Sequence, residues 1–312
     1  MTIAATILSL IVAAVAATGV WSTRAAMLFN HSEVAVAALD EKVYVVGGNI
    51  AGSFALSDVE MYDPATNRWR QLAALPVALS HVGLTALNGK LYAVGGFSGT
   101  EQDHTGAVDS LLEYTPATDT WRALAPLSSP RGSVGVATLN GKIYAVGGRG
   151  LDIKTVATVE AYDPARNAWT KLAPLPEARD HLAVVAVDGR IHAIGGRFGA
   201  SRDNTNIHEV YDPATNAWQT AAPLPTARSS MAAALYHGRI FVDGGECNNG
   251  KTFDQNEAYD PKSNSWSTLA PMPAGRHGFG AAVVGDVLYF AGGAIGCGGG
   301  NLTAELLTLQ LP

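Results

Sequence analysis

Arginine recurs at one fixed position of this sequence, ten residues after a tryptophan. This slot contains, in chain order, His31, Leu79, Arg131, Arg179, Arg228 and Arg276. Two further arginines, Arg149 and Arg197, directly follow pairs of glycines. A guanidinium group binds a carboxylate through two parallel hydrogen bonds, so we predict that the six arginines, with His31 and His81, contact an anionic ligand. The alternative for the slot arginines is structural: each pairs with a loop carboxylate or a backbone carbonyl.

A second group of residues has the composition of a proton-transfer site. Asp243 stands where other repeats have an apolar residue, Glu246 follows three positions later, and His277 belongs to the next repeat. A buried acid needs a partner or its pKa rises, so these three residues are candidates for general acid–base catalysis. The alternative is a salt bridge from Asp243 to Arg228 or Arg276. The layer that contains the slot also includes His81, Asp180, His181 and His277.

The elements that position these residues follow from an internal repeat, which must be sought first. All six tryptophans precede a pair of glycines by 26 residues. The tryptophans are Trp21, Trp69, Trp121, Trp169, Trp218 and Trp266, and the first glycines are Gly47, Gly95, Gly147, Gly195, Gly244 and Gly292. The mean spacing of about 49 residues matches that of a propeller blade.

Each repeat predicts four short strands. In the third repeat, an apolar run meets Asn140-Gly141, which favours a two-residue hairpin turn. A β-branched and aromatic run then returns to the glycine pair, and a third strand ends at Asp163-Pro164. A fourth strand, around Trp169, ends in prolines. Four antiparallel strands per repeat predict an all-β fold, a six-bladed β-propeller.

The glycine pair, the tyrosine of a Tyr-Asp-Pro-like turn and a tryptophan seven residues later resemble the kelch repeat. The tyrosines are Tyr62, Tyr114, Tyr162, Tyr211 and Tyr259. The resemblance covers residues 18–312 and implies a single propeller domain that binds its ligand on the rim where the slot lies. The C-terminal segment aligns Leu307 with the tyrosines and ends before another tryptophan. We therefore predict that the N-terminal strand around Trp21 completes the last blade.

Residues 1–17 form an uncharged apolar run that ends in Ala14-Val15-Ala16. This run fits a signal peptide with a small-residue cleavage site, and it is short for a membrane span. The alternatives are an uncleaved anchor and an apolar strand packed on the domain. We expect export to the periplasm or beyond, and no stable membrane span in the mature chain. In an oxidising compartment, Cys247 and Cys297, 50 residues apart in corresponding loops, would form a disulfide.

Composition narrows the function without naming it. A net charge of −6 argues against nucleic-acid binding, which needs a basic face. Phosphate-loop, zinc-protease and serine-nucleophile motifs are absent, so we expect no cofactor and no metal. The leading hypothesis is a non-catalytic binding module for an anionic small molecule or an acidic peptide. The alternatives are a mutarotase or isomerase acting on an acidic sugar, and a protein-interaction scaffold.

Overall fold

A computed structural model describes residues 19–99, 105–200, 203–247 and 250–312. The predicted signal peptide, residues 1–17, lies outside the described residues. The strands form six four-stranded antiparallel sheets, which confirms the predicted six-bladed β-propeller. No helix in the described ranges is long and apolar enough to cross a membrane.

Five of the blades are continuous in sequence, and the first described strand, β1 (Val20–Thr23), precedes them all. Blade 1 contains β2 (Ala35–Leu39), β3 (Lys42–Val46), β4 (Val59–Asp63) and β5 (Arg68–Gln71). Blade 2 contains β6 (Gly83–Leu87), β7 (Lys90–Val94), β8 (Leu111–Thr115) and β9 (Thr120–Ala123). A short rim ribbon pairs β10 (Arg131–Gly132) with β13 (Arg149–Gly150).

The ribbon brackets the first strands of the next blade. Blade 3 contains β11 (Gly135–Leu139), β12 (Lys142–Val146), β14 (Val159–Asp163) and β15 (Ala168–Lys171). Blade 4 contains β16 (Ala183–Val187), β17 (Arg190–Ile194), β18 (His208–Asp212) and β19 (Ala217–Thr220). Blade 5 contains β20 (Ala232–Tyr236), β21 (Arg239–Asp243), β22 (Asn256–Asp260) and β23 (Ser265–Thr268). Blade 6 contains β24 (Gly280–Val284), β25 (Val287–Ala291), β26 (Leu306–Gln310) and β1.

The last blade is closed by the N-terminal strand, as predicted. Trp21 lies opposite Leu309 in the β1–β26 register, and its indole N–H donates to the carbonyl of Ala270 over 3.3 Å. The predicted alignment of Leu307 with the blade tyrosines is wrong by two residues, because Leu309 takes the place opposite the tryptophan. The cause is that leucine alternates along β26 without the Tyr-Asp-Pro marker that fixes the register in the other blades.

Each blade packs on the next through an apolar layer and one recurring polar contact. In blade 1, for example, the rings of Tyr62 and Trp69 have centroids 5.2 Å apart, and the Trp69 N–H donates to the Ala25 carbonyl. The predicted hairpin at Asn140-Gly141 is present, and both residues have positive φ, as a turn of this type requires. The innermost strands carry many alanines and glycines, so six blades approach one another around the axis.

Candidate functional site

The slot lies beneath the rim and forms a set of buried ion pairs. Arg131, Arg179, Arg228 and Arg276 are fully buried. The partners are, in the same order, Glu160, Glu209, Glu257 and Glu305. Burial lowers the pKa of all four guanidinium groups, and the paired carboxylates offset part of that shift. These arginines therefore have the structural role that was the alternative prediction, because each pairs with a carboxylate inside the protein rather than facing a ligand.

Of the other two slot residues, His31 also pairs with a buried glutamate, whereas Leu79 does not. His31 is fully buried, its Nδ1–H donates to the Gly47 carbonyl, and its Nε2 lies 3.0 Å from Glu60. Leu79 pairs with no carboxylate, because blade 2 has Leu112 where the third strands of blades 1, 3, 4 and 5 have glutamate. Blade 6 has Leu307 at this position, and its glutamate, Glu305, directly precedes β26. His31, predicted as a ligand contact, is thus an internal partner of a glutamate, like the arginines.

Two positions beyond the slot, one residue of every blade forms a closed ring around the propeller axis. We call it the axial ring; its members are Glu33, His81, Ser133, His181, Ser230 and Gly278. All six have φ between 52° and 61°. The backbone N–H of each later member donates to the carbonyl of the member before it, and the Val34 N–H donates to Gly278 to complete the circle. The left-handed backbone turns each side chain of the ring toward the axis.

Glycine at the sixth position of the axial ring makes room for the carboxyl group at the first. A Cβ on Gly278 would lie 2.5 Å from Glu33 Oε1 and 2.8 Å from the Glu33 backbone nitrogen. The Glu33 carboxyl instead lies 3.2 Å from Nε2 of His81 and 3.8 Å from Nε2 of His277. Burial, with the negative charge of Glu246, raises the pKa of Glu33 to about 8.

Above the axial ring lies a cavity of about 220 Å³, which we call the axial pocket. Its polar lining consists of Glu33, Asn49, His81, His181, Arg197, Glu246 and His277. Ile50 and Phe54 provide an apolar side, and Gly298 and Gly299 come from blade 6. Side chains from five of the six blades therefore converge on one small polar cavity at the propeller axis.

Two of the predicted ligand contacts, Arg197 and His81, line the axial pocket. Arg197 Nε donates to Asp180 over 3.1 Å, its Nη1 donates to Glu246, and its Nη2 donates to His181 Nε2 over 3.1 Å. Arg149 instead contacts Asp180, 3.5 Å away, and donates to the Gly199 carbonyl. His81, also predicted, lies in the axial ring itself.

The predicted acid–base cluster forms only in part. Glu246 and His277 line the same pocket, and burial lowers the pKa of His277 although Glu246 opposes the shift. Asp243 is fully buried in β21 and belongs to a different layer, so it is not a member of this site. Burial raises the pKa of Asp243, and neither of its oxygens has a hydrogen-bond partner among the described residues. The predicted salt bridge to Arg228 or Arg276 is absent there as well, since those guanidinium groups pair with glutamates.

The sequence interpretation missed four members of the axial ring, Glu33, Ser133, Ser230 and Gly278. The signal was present: the position twelve residues after each tryptophan contains all six members of the axial ring. The predicted disulfide is confirmed, because Cys247 and Cys297 are bonded with their Cα atoms 5.5 Å apart. This bond joins the rim loops of blades 5 and 6.

The profile of the KLHDC2/KLHL20/DRC7 Kelch-repeats domain matches residues 22–175 and 82–293. The chain therefore belongs to the kelch-repeat family, whose propeller is a protein-interaction fold. Mouse Kelch-like protein 1 is 54% identical over 41 residues, and zebrafish Kelch-like ECH-associated protein 1A is 56% identical over 39 residues. These segments cover 13% and 12% of this chain and only 6% of the length of each relative.

Among solved structures, the one titled "Structure of YjhT" superimposes with a TM-score of 0.77. The alignment covers 93% of this chain and 100% of that chain at 18% sequence identity. At this identity the similarity shows the fold alone and does not extend to the side chains of the axial pocket.

Proposed function

We propose that this protein is an exported binding propeller that recognises a small anionic molecule in the axial pocket. The observation that carries this proposal is the position of Arg197. Its guanidinium is held by Asp180 on the buried side, while its other edge meets Glu246, whose side chain is 17% exposed. A ligand carboxylate takes the place of Glu246 on the same guanidinium, because two parallel hydrogen bonds fit that edge.

The size and lining of the axial pocket define the ligand class. A volume of about 220 Å³ lies below the range of about 300–1,000 Å³ that drug-sized ligands occupy. The imidazoles of His81 and His181 and the amide of Asn49 supply hydrogen-bonding groups, and Phe54 supplies an apolar face. A sugar acid, with one carboxylate and several hydroxyl groups on a small ring, matches this combination.

Export is part of the proposal. The disulfide between Cys247 and Cys297 supports it, since disulfides persist in oxidising compartments. The apolar run of residues 1–17 provides the signal peptide in this account.

A second candidate function is mutarotation or isomerisation of an acidic sugar. The observation that favours it is the convergence of Glu33, His81 and His277 at the floor of the axial pocket. Opening a sugar ring requires one group to remove the proton from the anomeric hydroxyl and another to protonate the ring oxygen. A carboxyl group with two imidazoles within 4 Å supplies both groups on one side of the bound sugar.

The test is the thermal stability of the protein against sugar acids, the matching neutral sugars and acidic peptides. A ligand at about 100 times its Kd adds about 2.7 kcal/mol to the free energy of unfolding. We expect one sugar acid to shift the melting temperature of the wild type and of Arg190→Ala, but not of Arg197→Ala. Arg190 is the control because it is half-exposed at a hairpin of the same blade and pairs with Asp212.

Each other outcome selects an alternative. A shift by acidic peptides alone supports the interaction scaffold, whose surface would include the exposed loop residues Leu151, Ile153 and Phe198. If the protein accelerates the interconversion of the two anomers of the sugar acid that binds, as followed by NMR, this result supports the mutarotase. Absence of any shift, or a shift that Arg197→Ala retains, contradicts a small-molecule site at Arg197.

A further inference from the structure

Three members of the axial ring present a set of metal-ligand atoms. One ligand atom each from Glu33, His81 and His181 lies within 4.8 Å of the other two. Glu33 Oε2 and His81 Nε2 are already 3.2 Å apart. Zinc bonds of about 2 Å to nitrogen and oxygen place neighbouring ligand atoms about 3.3 Å apart, and the Glu33–His81 pair already has this spacing.

The hydrogen bonds of His181 assign its lone pair to the side facing the cluster. Its Nδ1 contacts the Asp180 carboxylate, and its Nε2 receives a hydrogen bond of 3.1 Å from Arg197 Nη2. A guanidinium group can only donate, so Nε2 carries the lone pair and Nδ1 carries the proton. That lone pair accepts the Arg197 hydrogen bond here, so a metal ion at Nε2 takes the place of Arg197 Nη2. A carboxylate that holds the far nitrogen of a histidine is the usual outer partner of a metal ligand.

His81 directs the same ring nitrogen to the cluster. Its Nδ1 lies 3.0 Å from the Ser80 hydroxyl, while its Nε2 points to Glu33. The rings of Phe54 and Phe97 lie 5.7 and 5.5 Å from the imidazole and fix its plane. Both histidines therefore direct Nε2 to the axis and use Nδ1 for an outer contact, which is the arrangement that metal-binding histidines need.

We propose that Glu33, His81 and His181 bind a divalent transition-metal ion at the floor of the axial pocket. Zinc is the first candidate. Two histidines and one carboxylate are a ligand set for zinc and other first-row metals that leaves coordination positions open. Those positions face the axial pocket. The ligands stand on a hydrogen-bonded backbone ring, in which His81 N–H donates to Glu33 over 3.0 Å, so their spacing is rigid. The site does not depend on the anionic ligand proposed above.

The charges around the three ligands tolerate a cation. Glu246 and Asp180 offset Arg197 and Arg149, with which they form ion pairs. Binding of the metal displaces the proton from the Glu33 carboxyl group, and the resulting carboxylate supplies the negative charge that faces the metal directly.

The experiment is a titration of the full-length, tag-free protein with Co²⁺ and Zn²⁺ after treatment with EDTA. We expect one Co²⁺ per chain, with visible absorption bands of a bound ion that Zn²⁺ displaces. His81→Ala and His181→Ala should lose the bands, and Asp180→Asn should weaken binding about 10- to 100-fold. His237→Ala is the control, because that histidine is half-exposed and pairs with Asp286 away from the cluster.

The melting temperature of each metal-free variant shows that it is folded, so lost binding is not lost structure. Sub-stoichiometric or absent Co²⁺ binding by the wild type overturns the proposal. Equal binding by the wild type and both cluster variants, or equal loss in His237→Ala, overturns it too.

Discussion

The Glu33 carboxyl group lies 3.2 Å from His81 Nε2, across the boundary between blades 1 and 2. The backbones of the two residues are also joined, since the His81 N–H donates to the Glu33 carbonyl over 3.0 Å. The same left-handed turn thus links neighbouring blades and, in every blade except the sixth, which has Gly278, directs one side chain to the axis. Closure of the propeller and construction of the axial pocket are therefore one structural feature.

The slot ion pairs should be replaceable by the leucine pair of blade 2. Arg131→Leu alone leaves Glu160 buried without its partner and should lower the free energy of unfolding by about 3–5 kcal/mol. Arg131→Leu with Glu160→Leu copies Leu79 and Leu112 and should recover most of that loss. Urea unfolding of both variants checks this. A double variant as unstable as the single one would contradict the claim that a leucine pair can replace the ion pair.

Acid should destabilise the protein partly through His192 and His208. Nδ1 of His192 lies 2.9 Å from Nε2 of His208, and burial lowers their pKa values to about 4 and about 3. Below pH 6.5 the unfolded chain binds protons that the folded chain does not, so the free energy of unfolding falls as the pH falls. Four of the other blades have tyrosine at the position of His192, and blade 5 has Phe241.

His192→Tyr should remove the contribution of His192 to this pH dependence. Between pH 7.5 and 5.0, we expect the variant to lose about 2 kcal/mol less stability than the wild type. The measurement is urea unfolding at both pH values. An equal loss in the two proteins would show that His192 takes up its proton in the folded state as readily as in the unfolded chain.

Asp243 should reduce stability at neutral pH. Burial raises its pKa, so above the ordinary pKa of an aspartate the unfolded chain releases a proton that the folded chain retains. The free energy of unfolding therefore falls as the pH rises. Asp243→Asn should increase it at pH 7.5 by about 1 kcal/mol or more, with a smaller gain at pH 4.5. A loss of stability at pH 7.5 would show instead that an ionised Asp243 interacts with Arg228.

The fold was predictable because the repeat leaves a mark in every blade. The constant offset between tryptophan and glycine pair reports a fixed chain length from the fourth strand of one blade to the glycine pair after the second strand of the next, so blade number and the role of Trp21 followed from spacing alone. Leu307 was misaligned because β26 lacks the turn residues that fix the register elsewhere. A leucine repeat gives the same pattern at either register.

The site was predicted less well, for a physical reason. An arginine has the same appearance in sequence whether it faces a ligand or a buried glutamate, and the partner glutamates stand about 30 residues away. The role of Glu33 depends on a positive φ two positions after the slot. Residue types give little indication of that backbone, since glutamate, histidine, serine and glycine all adopt it here.

The central claim is that the axial pocket, rather than the slot, binds the ligand. Ala51→Trp fills the pocket from an exposed lining position and leaves every polar group in place. Ala65→Trp makes the same change at an exposed turn between β4 and β5. In the sugar-acid panel, we predict a thermal shift for the wild type and Ala65→Trp but none for Ala51→Trp. A wild type that responds to no sugar acid, or an Ala51→Trp protein that responds fully, would contradict the account.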